Sequence, residues 1–163
     1  NEIRLGRPRH PAPDVLGPLG ACGEIEDIVA ITYHPRPGEI FICSYPKDMI
    51  VPEMIKTRPV VVVSPKLKHR NKLVTIVPLS TTTPKSIESY HYQLSLNQPL
   101  PFPWDTNPCW VICDHPMTVS FDRLDLIRLG KDQYGKRKYL QYVMEEYHLN
   151  NIRLCIKLAL SLP

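Results

Sequence analysis

From Gly38 onward, apolar and polar positions alternate in short runs divided by turn residues. GEIFICSY at 38–45 alternates behind a glycine, and YHYQLSL at 90–96 alternates again, as half-buried strands do. Pro59 to Ser64 (PVVVVS) is a continuous β-branched run, the pattern of a strand buried on both faces. Leu73 to Leu79 (LVTIVPL) predicts a third strand, closed by Pro78 and the hydroxyls of Ser80, Thr81, Thr82 and Thr83. Cys109 to Cys113 (CWVIC) reads as another, with Val119 to Phe121 continuing or pairing after Pro116. Leu126–Lys131 and Lys138–Val143 flank Asp132–Arg137, which holds Gly135, and predict a hairpin. Over Glu145–Leu160 the period changes: Leu149, Ile152, Ile156 and Ala159 recur at helical spacing and predict one amphipathic helix. Six or seven short strands and a terminal helix make a mainly β fold of the α+β kind, a small partly closed barrel.

Two segments fall outside this pattern. Residues 98–108 hold clustered prolines and read as a loop, as does Met49–Thr57. Residues 1–37 carry Pro8, Pro11, Pro13 and Pro18, and read as an arm that is extended or packed on the surface. Within it the short apolar piece Ile25–Ile31 is expected to dock or to form a turn of helix. The expected organisation is therefore an arm over 1–37 and one barrel domain with its helix over 38–163.

Composition adds a few bounds. The chain has 163 residues, enough for one domain with a real core, and 18 prolines against 7 glycines argue against a mostly helical fold. A formal charge of +4 and a pI near 8.8 fit a polyanionic partner such as RNA without demanding one. Five cysteines, an odd number without framework spacing, point to a reducing cytoplasm. No apolar stretch is long enough to span a membrane and no signal peptide opens the chain. The first residue is Asn1 rather than Met, which fits a start that was trimmed or lies upstream.

Several blocks, in order, resemble the MazF/PemK family of toxins. Gly38-Glu39-Ile40-Phe41 is similar to that family's opening strand, and Pro52 to Pro65 to its acid, loop, Arg-Pro and hydrophobic strand ending in Ser-Pro. Ile76 to Thr82 is similar to its third strand, ending in Pro, an apolar residue and hydroxyls. Val111 to Val119 resembles its later strand with an Asp near a Thr-Val pair, and the terminal helix falls where the family has one. The resemblance implies an SH3-like, CcdB/MazF-type barrel and a toxin endoribonuclease that cuts single-stranded RNA without a metal. It also implies inhibition by a cognate antitoxin protein and pairing into homodimers. Residues 1–37 and the loop 98–108 exceed the family's compact pattern.

Cleavage by the 2′-hydroxyl needs a proton acceptor, a cation for the phosphate and help for the leaving oxygen. Arg58 is the candidate for the phosphate: its planar fork matches two oxygens, and Pro59 holds it extended. Ser80 would donate to a phosphate oxygen, or Thr81 if the alignment shifts by one residue. Glu53 would act as general base or, preferably, orient Arg58, because a neighbouring guanidinium weakens a carboxylate as a base. Lys56, Lys66, Lys68 and Arg70 are candidates for a basic groove along the RNA backbone, with aromatics such as Tyr45, Tyr90 and Trp110 as stacking surfaces. His115 is a further acid or base candidate and Asp114 a loop-fixing one, both counted with the substrate-binding set. Some relatives carry an Arg where this chain has Ile112. Cys109, Cys113 and His115 lack the short pairs of a zinc site, so no metal and no cofactor are expected. The alternative reading is a catalytically silent or non-nuclease barrel that acts by binding a protein such as DNA gyrase.

Overall fold

The computed structural model describes residues 31–163. Its elements run β1 (Ile40–Cys43), β2 (Arg58–Val62), β3 (Leu73–Ser80), β4 (His91–Leu94), β5 (Cys109–Ile112), β6 (Met117–Ser120), β7 (Leu124–Asp125), β8 (Arg128–Lys131), β9 (Arg137–Tyr139) and α1 (Glu146–Ala159). Seven strands form one antiparallel sheet in the order β4-β5-β3-β2-β1-β7, with β6 also on β3, while β8 and β9 pair as a separate hairpin. The mainly β fold with one C-terminal helix is the one expected. Most of the arm and most of its apolar piece lie outside the described residues, but Ile31 is 5% exposed and packs in the core.

Alternation explains how the valine run is buried on both faces. Val61 and Val63 join Val77, Leu79, Leu149 and Ile152 in one cluster beneath α1. Val60 and Val62 point the other way, into a second cluster with Phe41, Cys43, Tyr45, Val74, Ile76 and Val119. The helix is docked by burial of Leu149, Ile152 and Cys155 and by Arg153, whose Nε and Nη2 donate to the Val63 carbonyl at 3.1 and 2.9 Å. Ile156 and Ala159 are only partly buried, so the buried stripe turns slightly from the expected one and takes in Cys155.

β3 is the long strand, and it serves two partners on one side. Leu73–Ile76 pairs with β6, and Leu79–Ser80 pairs with β5. Val77 and Pro78 fall between these ladders, which is where a proline without an N–H is tolerated.

Several boundaries differ from the expectation. Phe121 does not continue β6 but opens a 3₁₀ turn, Phe121–Arg123, capped by the Ser120 hydroxyl. The two-residue β7 follows, too short to carry a period. β9 stops at Tyr139, and Val143 instead forms a single bridge to Glu39. The hairpin turn is held by the Asp132 carboxylate, which accepts from the Tyr134 and Lys136 amides. The proline-rich loop is closed by Asn107, whose amide bonds both the N–H and the carbonyl of Leu96.

Candidate active site

Arg58 enters β2 directly before Pro59, which favours extended backbone at that residue. The β2–β3 register sets Val62 opposite Ile76 and Val60 opposite Pro78. Continued by one pair of steps, it puts Arg58 across from Ser80, with both side chains on the face of the second cluster. Arg58 is half-buried, and its Nε is buried without a hydrogen-bond partner among the described residues. Tyr45 lies within its field: burial and Cys43 push the phenol's pKa up, and the Arg58 charge pulls it back.

Tyr45 also helps line a cavity of about 330 Å³ with Met54, Glu53 and His115, whose wall includes neither Arg58 nor Ser80. It gathers residues from the end of β1, the β1–β2 loop and the β5–β6 turn. A larger hollow of about 550 Å³ lies along the outer edge of β1, between Tyr33–Glu39 and Tyr139–Val143, and contains none of the predicted residues.

The Glu53 carboxylate forms no ion pair with Arg58 among the described residues. Its Oε2 accepts the Ile50 N–H at 2.7 Å and closes the Ile50–Glu53 turn. One oxygen of the Glu53 carboxylate is thus engaged by a local amide three residues away. Ser80 Oγ is engaged with its own turn, accepting from the Thr82 N–H at 3.1 Å and reaching the Thr82 carbonyl at 3.2 Å. Thr81 lies just past the end of β3 and is exposed.

His115 Nδ1 stands 3.1 Å from Asp114 Oδ1, yet it counts as a buried atom without a hydrogen bond. The two groups are close but misaligned, so no directed hydrogen bond joins them. Lys56 is exposed on the loop leading to Arg58. Lys66, Lys68 and Arg70 are also exposed, but they sit on the β2–β3 connection, at the opposite end of both strands from Arg58 and Ser80. Arg70 lines a separate hollow of about 270 Å³ with Ser64 and Thr118. The structure thus brings Arg58, Ser80, Glu53 and His115 to one end, and sets Lys66, Lys68 and Arg70 apart from them.

Cys109 and Cys113 face the core, where burial pushes the Cys109 thiol up to about 11 and Cys113 higher still. Among the described residues no three His, Cys, Asp or Glu side chains gather as a metal site would need. No described helix is long and apolar enough to cross a membrane. Of the aromatics expected to stack, Tyr45 is buried in the second cluster and Trp110 lies directly across from Ser80 on β5.

The sequence that builds this sheet matches a known family model. Residues 36–141 match that of the PemK-like, MazF-like toxins of type II toxin–antitoxin systems. The chain belongs to that family. Among solved structures it is similar to MazF from Deinococcus radiodurans, with a TM-score of 0.56 and 15% identity over 80% of this chain and 99% of that one. An endoribonuclease from a Mycobacterial species, solved in complex with its cognate antitoxin, has a TM-score of 0.53 and 21% identity over 80% of this chain and 98% of that one. No curated protein sequence matches the chain.

Proposed function

We propose that this toxin is a metal-independent endoribonuclease that cuts single-stranded RNA in the cytoplasm, works as a homodimer and is silenced by a cognate antitoxin protein. The observation that supports the reading is the β2–β3 register, which continues to Arg58 opposite Ser80, with Tyr45 linking the field of Arg58 to a cavity of about 330 Å³. The 2′-oxygen attacks phosphorus as its proton passes to a base. The bond from phosphorus to the 5′-oxygen breaks, and a proton returns to that oxygen. A 2′,3′-cyclic phosphate and a 5′-hydroxyl remain.

Arg58, its Nε unpartnered, supplies the cation for the phosphate oxygens. Ser80 donates its hydroxyl after exchanging the Thr82 carbonyl for a phosphate oxygen. Glu53 lines the cavity and is not held by Arg58, which frees it to take the proton; His115 lines the same cavity as the second titratable group. Lys56 contributes charge at this end, Asp114 fixes the turn that carries His115, and Thr81 stands beside Ser80.

A second reading is favoured by two observations: the Ser80 hydroxyl is already bonded within its turn, and Ile112 stands where some relatives have an Arg. Both suit a barrel that binds a protein such as DNA gyrase and cuts nothing. One experiment separates the two. Long single-stranded RNA incubated with the protein in EDTA should give fragments ending in cyclic phosphate, and Arg58→Ala should abolish them. Intact RNA after incubation with fresh, folded wild-type protein at any salt concentration supports the binding module instead.

A further inference from the structure

Four strands cross the candidate site in the order β4-β5-β3-β2, and their registers align a row of side chains on one face. Ser80 is opposite Trp110, and Trp110 is opposite Gln93. With Arg58 across from Ser80, the row reads Arg58, Ser80, Trp110, Gln93, because directly opposed residues share a face. Neighbouring strands lie about 4.8 Å apart, so Gln93 stands roughly 10 Å from Ser80 on the same side of the sheet. His91, two residues earlier on β4, shares that face and is opposite Ile112.

The side chains differ in how they are used. Trp110 is 7% exposed and belongs to neither core cluster, so it floors the row. Gln93 is exposed, and its carboxamide has no hydrogen-bond partner among the described residues. His91 Nδ1 accepts the Glu88 N–H at 3.1 Å, while the His91 amide donates to the Glu88 carbonyl at 3.0 Å. A lone pair on Nδ1 leaves the ring proton on Nε2, so His91 presents a fixed donor and is not free to shuttle protons through both nitrogens. The Tyr90 ring packs against His91 at 4.7 Å between centroids and 64° between planes.

We infer that Tyr90, His91 and Gln93 form a nucleobase subsite that takes the base beside the scissile phosphate and sets the sequence preference of cleavage. The inference rests on the nuclease reading above. An unpaired base offers a π-face and a hydrogen-bonding edge, and single-stranded RNA is read through both. Tyr90 and His91 supply rings for the face. The Gln93 amide carries a donor and an acceptor side by side, as the edge of a base requires. These groups lie on an outer strand of the sheet, next to Trp110 and two strands from Ser80, within reach of the nucleotide adjoining the cut.

The test has two arms. In the first, the 5′ ends of fragments from a long RNA are mapped for the wild-type chain, Gln93→Ala and His91→Phe, the last keeping a ring without the donor. In the second, fluorescence anisotropy compares oligonucleotides differing at single bases, bound by Arg58→Ala protein with and without Gln93→Ala. Both β4 substitutions should relax preference at the same single position near the cut, by roughly three- to tenfold for Gln93→Ala, the worth of one ordinary hydrogen bond. An unchanged fragment map with an unchanged ranking of oligonucleotides overturns the subsite, as does a loss of cleavage spread evenly over all sites. Should the wild-type chain cut nothing, the nuclease reading fails and the anisotropy arm decides the subsite alone. Base-dependent affinity erased by Gln93→Ala keeps it, and affinity indifferent to base overturns it.

Discussion

Replacing Gly38 with alanine tests how the first strand is set against the helix. Gly38 has φ +88°, its N–H donates to the Val62 carbonyl at 2.8 Å, and its carbonyl accepts the Met144 N–H at 2.8 Å. Left-handed backbone costs an L-residue roughly 1–2 kcal/mol. A Cβ here would also meet the Met144 carbonyl oxygen at 3.2 Å and its nitrogen at 3.3 Å. That backbone is held by the same hydrogen bond and yields little, so crowding adds about 1 kcal/mol. A stiffer unfolded chain returns about 0.4–1 kcal/mol. The net loss for Gly38→Ala is therefore about 1–2.5 kcal/mol. With a urea m-value of roughly 1–3 kcal/mol/M, the unfolding midpoint should fall by about 1 M. Gly135→Ala is the control: φ is +79°, but a new Cβ meets nothing within 4 Å, so only the strain remains. An unchanged midpoint for Gly38→Ala refutes the reasoning. Equal drops for both variants would remove the contact with Met144 from it.

Further outcomes follow from the core and its thiols. Ile152 is 0% exposed beneath the sheet, so Ile152→Ala should lower stability by about 2–5 kcal/mol, read from urea unfolding. An effect within error would mean that α1 is not docked through this residue. Burial pushes the Cys43 thiol up to about 12, against a smaller pull from Arg123, and Cys109 up to about 11. An unfolded thiol ionises near 9.0 while the folded ones keep their protons, so this contribution is whole below that pH. It declines as pH rises towards 11 and 12, and the urea midpoint should fall over that window. Cys43, Cys109, Cys113 and Cys155 should also resist alkylation at pH 8 until the protein unfolds; prompt labelling of any of them in the folded state contradicts their burial.

The strands were legible where one physical rule governed the residues. The 60–63 valine run and the alternation in GEIFICSY showed their burial directly, and β1, β2 and β3 fall inside the predicted segments or within one residue of them. Leu124–Asp125 and the Phe121–Arg123 turn were not legible, because two or three residues carry no period and owe their conformation to β1 and a Ser cap. Arg58 and Ser80 could be named from the family blocks, and the β2–β3 register continued past Val60 and Pro78 sets them opposite each other. The bond from the Ile50 amide to Glu53 was not legible, because sequence does not rank a backbone amide three residues away against a guanidinium. Lys66, Lys68 and Arg70 are close to Arg58 in number but lie past the far end of β2. His91 and Gln93 gave no signal at all, since their nearness to Ser80 depends on β5 inserting between β4 and β3.

Two ladders hang from opposite halves of β3, and this gives the molecule a mechanical character. Anything that prises the His115 turn away from Arg58 must bend that strand as a single beam, since β6 grips one half and β5 the other. Between those grips, Val77 and Pro78 are held from the other side alone, by Val61 and Val60 of β2. A load borne by the cleft would cross that gap into the valine strand, which is in register with both residues.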